Sequence, residues 1–318
     1  MSGNAMSARG WTVVEFVIAV ALGLIVTLLA SGLLLSAGSN YRNHSDNAGL
    51  NDGGRHALDI MARAIRQGAY VNWDSKAAPV ELDTDAPASI AGLDARSISR
   101  GGADISATLP AVAHGSDVLA LRFSGSGVGG NGDGSSLNCA GFGVAVPDAA
   151  DARGWSIFYV ADDGAGEAEL RCKYRGASGW GADAIVRGVD SFQVLYGLDT
   201  DTPADGIPNA YVNASNINAM DAALVLTGAT PAERLRDFHR KTFWKRVCSV
   251  RVALLLHGES NTRADTATTR FDLFGPAYSD AHGDDEGVRI VEATLPPSQR
   301  TRARRVVGMT VALRNRSG

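Results

Sequence analysis

From Phe16 to Leu35 the chain carries 20 consecutive residues without a charge, most of them Val, Leu, Ile or Ala. At about 1.5 Å per residue, a helix over them spans roughly 30 Å, the hydrocarbon thickness of a bilayer. One membrane pass is predicted. No second run of this kind follows, so everything after about residue 40 is expected on one side of the membrane. Arg9 is the single basic residue before the run, which favours a cytoplasmic N-terminus and export of the rest. A cleaved secretory signal is the competing reading, with small residues at Ser36-Ala37-Gly38. Two features oppose it. The apolar stretch exceeds the ~7–15 residues usual for such signals, and it opens with a carboxylate, Glu15. An ionisable group costs on the order of 2.5–3.5 kcal/mol at the bilayer centre and less near the interface, so Glu15 needs a partner.

The residues around that carboxylate, Arg9-Gly10-Trp11-Thr12-Val13-Val14-Glu15-Phe16-Val17-Ile18-Ala19, resemble the class III signal of type IV pilins and type II secretion pseudopilins. The resemblance implies cleavage after Gly10 by a prepilin peptidase and methylation of the new N-terminal amine on Trp11, which stands where the family usually has phenylalanine. It makes Glu15 the fifth mature residue. The physical logic agrees: a carboxylate on a first helical turn sits at the positive dipole end, and in a fibre it can pair with a neighbouring subunit's amine.

Beyond the span, Tyr41 to Gly54 is polar and glycine-bearing, and Gly49, Gly53 and Gly54 are expected to weaken or kink the helix. Leu58, Met61 and Ile65 then recur at helical spacing and predict an amphipathic continuation, its apolar stripe packed on a sheet. Residues 71–116 read as a long variable loop with at most short strands. Strand patterns follow at Asp117–Phe123, Trp155–Ala161, Leu170–Tyr174, Ile185–Val189, Ser191–Gly197, Val247–Leu256 and Arg305–Arg314, with a hairpin turn at Asp162-Asp163-Gly164-Ala165-Gly166. Strands and helices do not alternate regularly. The expected fold is therefore α+β, a long N-terminal helix packed on an antiparallel sheet, divided into a leader 1–10, a membrane helix 11–36, its amphipathic continuation 37–70 and a body 71–318.

Several body phrases resemble the PilW class of type IV pilus minor pilins. They are the helix from Gly54 to Tyr70, Gly115-Ser116-Asp117-Val118-Leu119, Val194-Leu195-Tyr196-Gly197-Leu198-Asp199-Thr200-Asp201, Val250-Arg251-Val252-Ala253-Leu254-Leu255 and Arg304-Arg305-Val306-Val307-Gly308-Met309, in the family's order. The resemblance implies an inner-membrane subunit with its body in the periplasm, later at the pilus tip. Its implied partners are the peptidase, the inner-membrane assembly platform, other minor pilins, the major pilin and a tip adhesin. A minor pseudopilin shares the signal and the plan.

The formal charge of −4 provides no global basic field for nucleic acid. Of the three cysteines, Cys248 lies on the apolar face of its strand pattern and is expected buried and free. Cys139 and Cys172 form the favoured disulfide in an oxidising compartment; sequence order also allows the other pairings or three free thiols. Asp199, Asp201 and Asp205 place three carboxylates on a turn that could suit Ca²⁺, although their spacing departs from the EF-hand and a solvated turn is the simpler reading. Arg240, Lys241, Lys245 and Arg246, with Phe238, Phe243 and Trp244, are a candidate DNA contact; the simpler reading is a capped helix opened by Thr230-Pro231-Ala232-Glu233 that buries Leu235 and Phe238. Gly125-Ser126-Gly127-Val128-Gly129-Gly130 imitates a dinucleotide fingerprint, but a glycine-rich loop follows it where a helix is required. There is no His-Glu-x-x-His, Gly-x-Ser-x-Gly or Cys-x-x-Cys, and the expectation is a structural protein without catalysis or cofactor.

Overall fold

The computed structural model describes residues 12–72, 84–149, 152–176, 178–263 and 268–315. The leader 1–10 lies outside them. A single helix, α1, runs from Val13 to Gln67 and ends at Gly68, whose amide donates to Ala64 O and Ile65 O. The predicted weakening at Gly49, Gly53 and Gly54 does not occur: the helix is continuous through all three. Two of these glycines serve the packing. A Cβ on Gly54 would come within 3.0 Å of Val307, and one on Gly53 within 3.1 Å of Val186, whereas Gly49 has open space around it. Absence of side chains lets the helix backbone lie close on the sheets, and the continuous hydrogen-bond ladder offsets the modest glycine penalty.

Two antiparallel sheets receive the helix. The strands β1 (Ile90–Leu93), β4 (Val118–Phe123), β5 (Gly154–Asp162), β6 (Ala168–Gly176) and β7 (Gly179–Arg187) form the first, in that spatial order. The second holds β13 (Arg304–Ala312), β10 (Val247–His257), β8 (Val189–Leu198) and β9 (Ala210–Val212), again in that spatial order. Val252 lies opposite both Val194 and Met309, which fixes the register of the second sheet. The strand expected at Ile185–Val189 is instead the end of β7 and the start of β8. Gly188, at φ +72°, turns the chain from one sheet to the other, and a Cβ there would meet His257 O at 2.5 Å.

The main core joins both sheets and the lower half of α1. Leu121 and Phe158 from the first sheet meet Phe192, Val194, Val252 and Leu254 from the second, and Ala57, Met61 and Ile65 close the core from above. The helix stripe is therefore built on Ala57, Met61, Ala64 and Ile65, with Leu58 only half-buried at its edge. Met61 and Ile65 carry the stripe as the spacing predicts, and Ala57 and Ala64 beside them take the place expected of Leu58. The outer faces are covered too. The hairpin of β2 (Arg96–Ile98) and β3 (Thr108–Pro110) shields the first sheet through Ile98, and β11 (Arg270–Asp272) with β12 (Arg289–Val291) brings Ile290 over Ala253 and Leu255 of the second. Double coverage explains why β8 is buried at every position.

Candidate functional site: the N-terminal helix and its seat

At the start of α1, Thr12 is the N-cap. Its hydroxyl accepts from the Glu15 amide at 3.3 Å, while a Glu15 carboxylate oxygen accepts from the Thr12 amide at 2.9 Å and from its hydroxyl at 3.1 Å. This reciprocal capping box satisfies two otherwise orphaned donors and gives Glu15 a partner inside its own chain. Gly10 and Trp11, the expected processing residues, lie outside the described residues. From Val13 to Gly38 the helix is long and apolar enough to cross a membrane, and its described side chains are wholly exposed. A bare apolar surface of this length requires lipid or other protein around it. The second half of the helix meets that need within the chain, seated on the body as described above.

Cys139 and Cys172 are joined by a disulfide with a Cα separation of 5.9 Å, and Cys248 is buried outside any disulfide, its thiol donating to Gly197 O at 3.4 Å. The disulfide ties the glycine-rich loop after β4 to β6, and the Cys139 amide also donates to the Ser156 hydroxyl at 3.0 Å. Residues 124–146, which contain the dinucleotide-like glycines, form turns and one isolated bridge and no helix.

The three aspartates of the 199–205 turn do converge, their carboxylate oxygens lying within 4.8 Å of one another. The loop itself uses them. Asp199 accepts from the Gly206 amide at 2.5 Å and the Asp201 amide at 3.3 Å, Asp205 from the Ile207 amide at 2.8 Å, and Asp201 from the Asn209 side chain at 3.1 Å. These are turn-closing hydrogen bonds of a kind Asp makes without a cation.

The basic cluster is likewise engaged with the protein. The capping box at Thr230 forms as expected and opens the helix α3, Pro231–Lys241. Arg240 pairs with Asp85, and its guanidinium holds that carboxyl below the usual range. Lys241 donates to Asp237 at 2.7 Å and, aided by the Thr227 amide, holds it down to about 2. Lys245 donates to Thr84 O at 2.8 Å, and Arg246 lies over the Phe243 ring. Leu235 is exposed, contrary to the sequence expectation, and Phe238 is half-buried, because α3 lies on the surface and buries none of its residues fully.

Two polar arrangements escape the sequence reading. Asp117, fully buried, accepts from Val194 N at 2.8 Å and Ala95 N at 3.1 Å, and the Ser116 hydroxyl accepts from Phe192 N at 3.1 Å. They brace one sheet against the other, and burial pushes the Asp117 carboxyl well up. The second lies beneath α1. Arg304, fully buried, donates to Asp190 at 2.6 Å and Glu292 at 3.3 Å, while Arg302 donates to both oxygens of Glu167 at 2.7 and 3.1 Å. His257 sits between the groups, with Nδ1 3.1 Å from Asp190 and Nε2 against Arg302 and 2.9 Å from Glu167. Burial is the first cause that pushes its ring down; Arg302 and Arg304 add to this, and Asp190 and Glu167 oppose it. The residues are scattered from 167 to 304; the pairing of β8, β10 and β13 brings Asp190, His257 and Arg304 together, and Glu167, Glu292 and Arg302 reach them from adjoining segments.

One helix, apolar and bare along its first half and seated on an antiparallel body along its second, is the plan of a pilin-type subunit. A family model described as Type IV Pilus-assembly protein W matches residues 157–315, from within β5 to just past β13. The match spans half of the chain, and the protein belongs to this PilW family. A type IV-like pilin from Thermus thermophilus is similar over 83% of this chain and 96% of that chain, at 14% identity and a TM-score of 0.32. No curated protein sequence matches the chain.

Proposed function

We propose that the protein is a minor pilin: it is held in the inner membrane by α1 with its body in the periplasm, cut after Gly10, methylated on Trp11, and built into the tip of a type IV pilus that it primes or caps. The observation that carries this reading is the uninterrupted helix that is long and apolar enough from Val13 to Gly38 to cross a membrane, with its described side chains there exposed, and that is fastened to the body from Leu50 onward. Such a subunit can exchange lipid for other subunits' helices along one surface without refolding. Its role is assembly, without catalysis. The partners in this reading are the prepilin peptidase, the assembly platform, other minor pilins and the major pilin.

Glu15 is the residue on which assembly turns. In the isolated subunit its carboxylate is occupied by Thr12, and in the fibre it takes a neighbour's N-terminal amine, a charged partner that outweighs a neutral amide in a low-dielectric setting. A Glu15→Ala chain is expected to be cleaved at the normal rate and to enter fibres at less than about a tenth of the wild-type level, a loss of roughly 1.4 kcal/mol or more. Immunoblots of membranes and of sheared fibres read the two steps separately. Normal fibre incorporation of the variant, or failure of its cleavage, would overturn the assignment.

A further inference from the structure

Along one flank of α1, at the edge of the core, a cleft of about 450 Å³ opens between the helix, the glycine-rich loop and the C-terminal segment. Arg63 and Arg66 enter it from α1 and Arg314 from beyond β13. None of the three has a carboxylate partner among the described residues, whereas Arg240, Arg289, Arg302 and Arg304 are each paired to acids. Gln67 lines the same cleft, and its side-chain nitrogen is buried without a hydrogen-bond acceptor. Ile60 and Leu137 supply an apolar wall. The nearest acid on the loop, Asp133, is turned to its own Ser135 amide and hydroxyl at 2.9 and 2.7 Å.

The walls are fixed in place. The loop is anchored by the Cys139–Cys172 disulfide. Arg314 is held beside the helix by the Leu313 amide on Cys248 O at 2.9 Å and by the Asn315 side chain on Arg66 O and Gly68 O at 3.4 Å. Arg63 Nε reaches only its own helix, at Asp59 O 3.4 Å away, so three guanidiniums and an unused amide donor face one space with no carboxylate among the described residues to take them, on a chain whose net charge is −4. Unmatched donors of this kind, with an apolar wall beside them, fit a carboxylate flanked by an apolar side chain, since the guanidinium fork binds carboxylate bidentately. The membrane is out of reach. Arg63 stands 25 residues beyond Gly38 on an unbroken helix, about 38 Å at 1.5 Å per residue, several times the ~8 Å over which headgroup charge is felt at physiological salt.

We propose that this cleft receives an acidic segment of a neighbouring fibre subunit, its carboxylates taken by Arg63, Arg66 and Arg314 and an apolar side chain seated between Ile60 and Leu137. The inference rests on the fibre reading above. It is tested on the full-length chain in neutral detergent micelles, by fluorescence anisotropy of a short labelled peptide alternating glutamate and leucine. Saturable binding is expected that weakens with added salt, is absent for the lysine-for-glutamate counterpart, and falls about tenfold or more in the R66E/R314E chain while R240E/K241E binds as wild type. A thermal melt checks that the variants fold; if the double reversal melts early, R66Q/R314Q is expected to weaken binding several-fold in its place. Equal binding by the wild type and these variants, or no saturable binding, overturns the proposal. Displacement of the peptide by inorganic phosphate as effectively as by unlabelled peptide overturns it as well, since the cleft would then hold a free anion. Peptide binding requires no processing, so its failure beside a methylated Trp11 would remove this cleft alone, and its success beside an unmethylated chain would remove the fibre reading alone.

Discussion

His257 carries a consequence for pH. It is almost completely buried, with Nδ1 3.1 Å from Asp190 and Nε2 against Arg302 and 2.9 Å from Glu167, and burial pushes its ring below the ordinary imidazole range. In the unfolded chain the ring takes up a proton near pH 6.5, and in the fold it does so lower, because burial and two guanidiniums disfavour the cation. The unfolded state therefore binds more protons as pH falls below about 6.5, and the fold loses stability there; above that value the contribution is constant. The His257 contribution to the melting temperature is expected to be constant from about pH 8 to 7 and to decline below about 6.5, so His257→Gln should flatten the first part of that decline. Identical slopes in the variant and the wild type would assign the decline to other groups. Nothing in the sequence marks His257 apart from the other five histidines, since its partners, Glu167, Asp190 and Arg302, come from three distant segments.

At the scale of the elements, the glycines of α1 divide by position. Gly54 lies against Val307 and Leu256, so Gly54→Val overpacks the seam and is expected to destabilise the body by about 1–3 kcal/mol. Gly49 has nothing within 4 Å of its missing Cβ, so Gly49→Ala is expected to stabilise by roughly 0.5–1 kcal/mol. Chemical denaturation of the two variants reads the contrast; equal effects would contradict the close-seam account. Sequence spacing could identify the amphipathic helix but could not tell a helix-weakening glycine from one that brings backbone and sheet together, because that difference lies in Val186 and Val307, more than 130 residues away. The long strands were legible for the opposite reason. Their apolar patterns in β4, β5, β8 and β10 are local, and Asp117–Phe123 and Val247–Leu256 fall within a residue of the observed strands. The three-residue strands β2, β3, β11 and β12 have too few residues for a period to emerge, and the short helix α2, Ala214–Ala222, is likewise without a clear apolar stripe. Leu235 shows the converse: an amphipathic pattern on α3 is stabilised by its capping box and ion pairs while Leu235 stays in water and Phe238 is only half-buried.

The whole molecule is asymmetric in what it satisfies. The body covers the central strands of both sheets and pairs Arg302 and Arg304 with acids, whereas the apolar side chains of α1 from Val13 to Leu34 stay exposed. A protein so arranged is finished only by lipid or by other protein around α1, and in the function proposed above processing at Gly10 sets the order in which it meets them. The signal for that was the most legible part of the sequence, a carboxylate one residue ahead of an uncharged run of bilayer length, while the cationic cleft on the other end of the same helix emerged only when the C-terminal segment folded back beside it. The most direct measurement is mass spectrometry of the mature N-terminus of the protein from native membranes or sheared fibres. A chain beginning at Trp11 with a methylated amine is predicted. A chain beginning near Gly38 or Ser39 would contradict the account, because it would have lost Glu15 and the apolar half of α1 together.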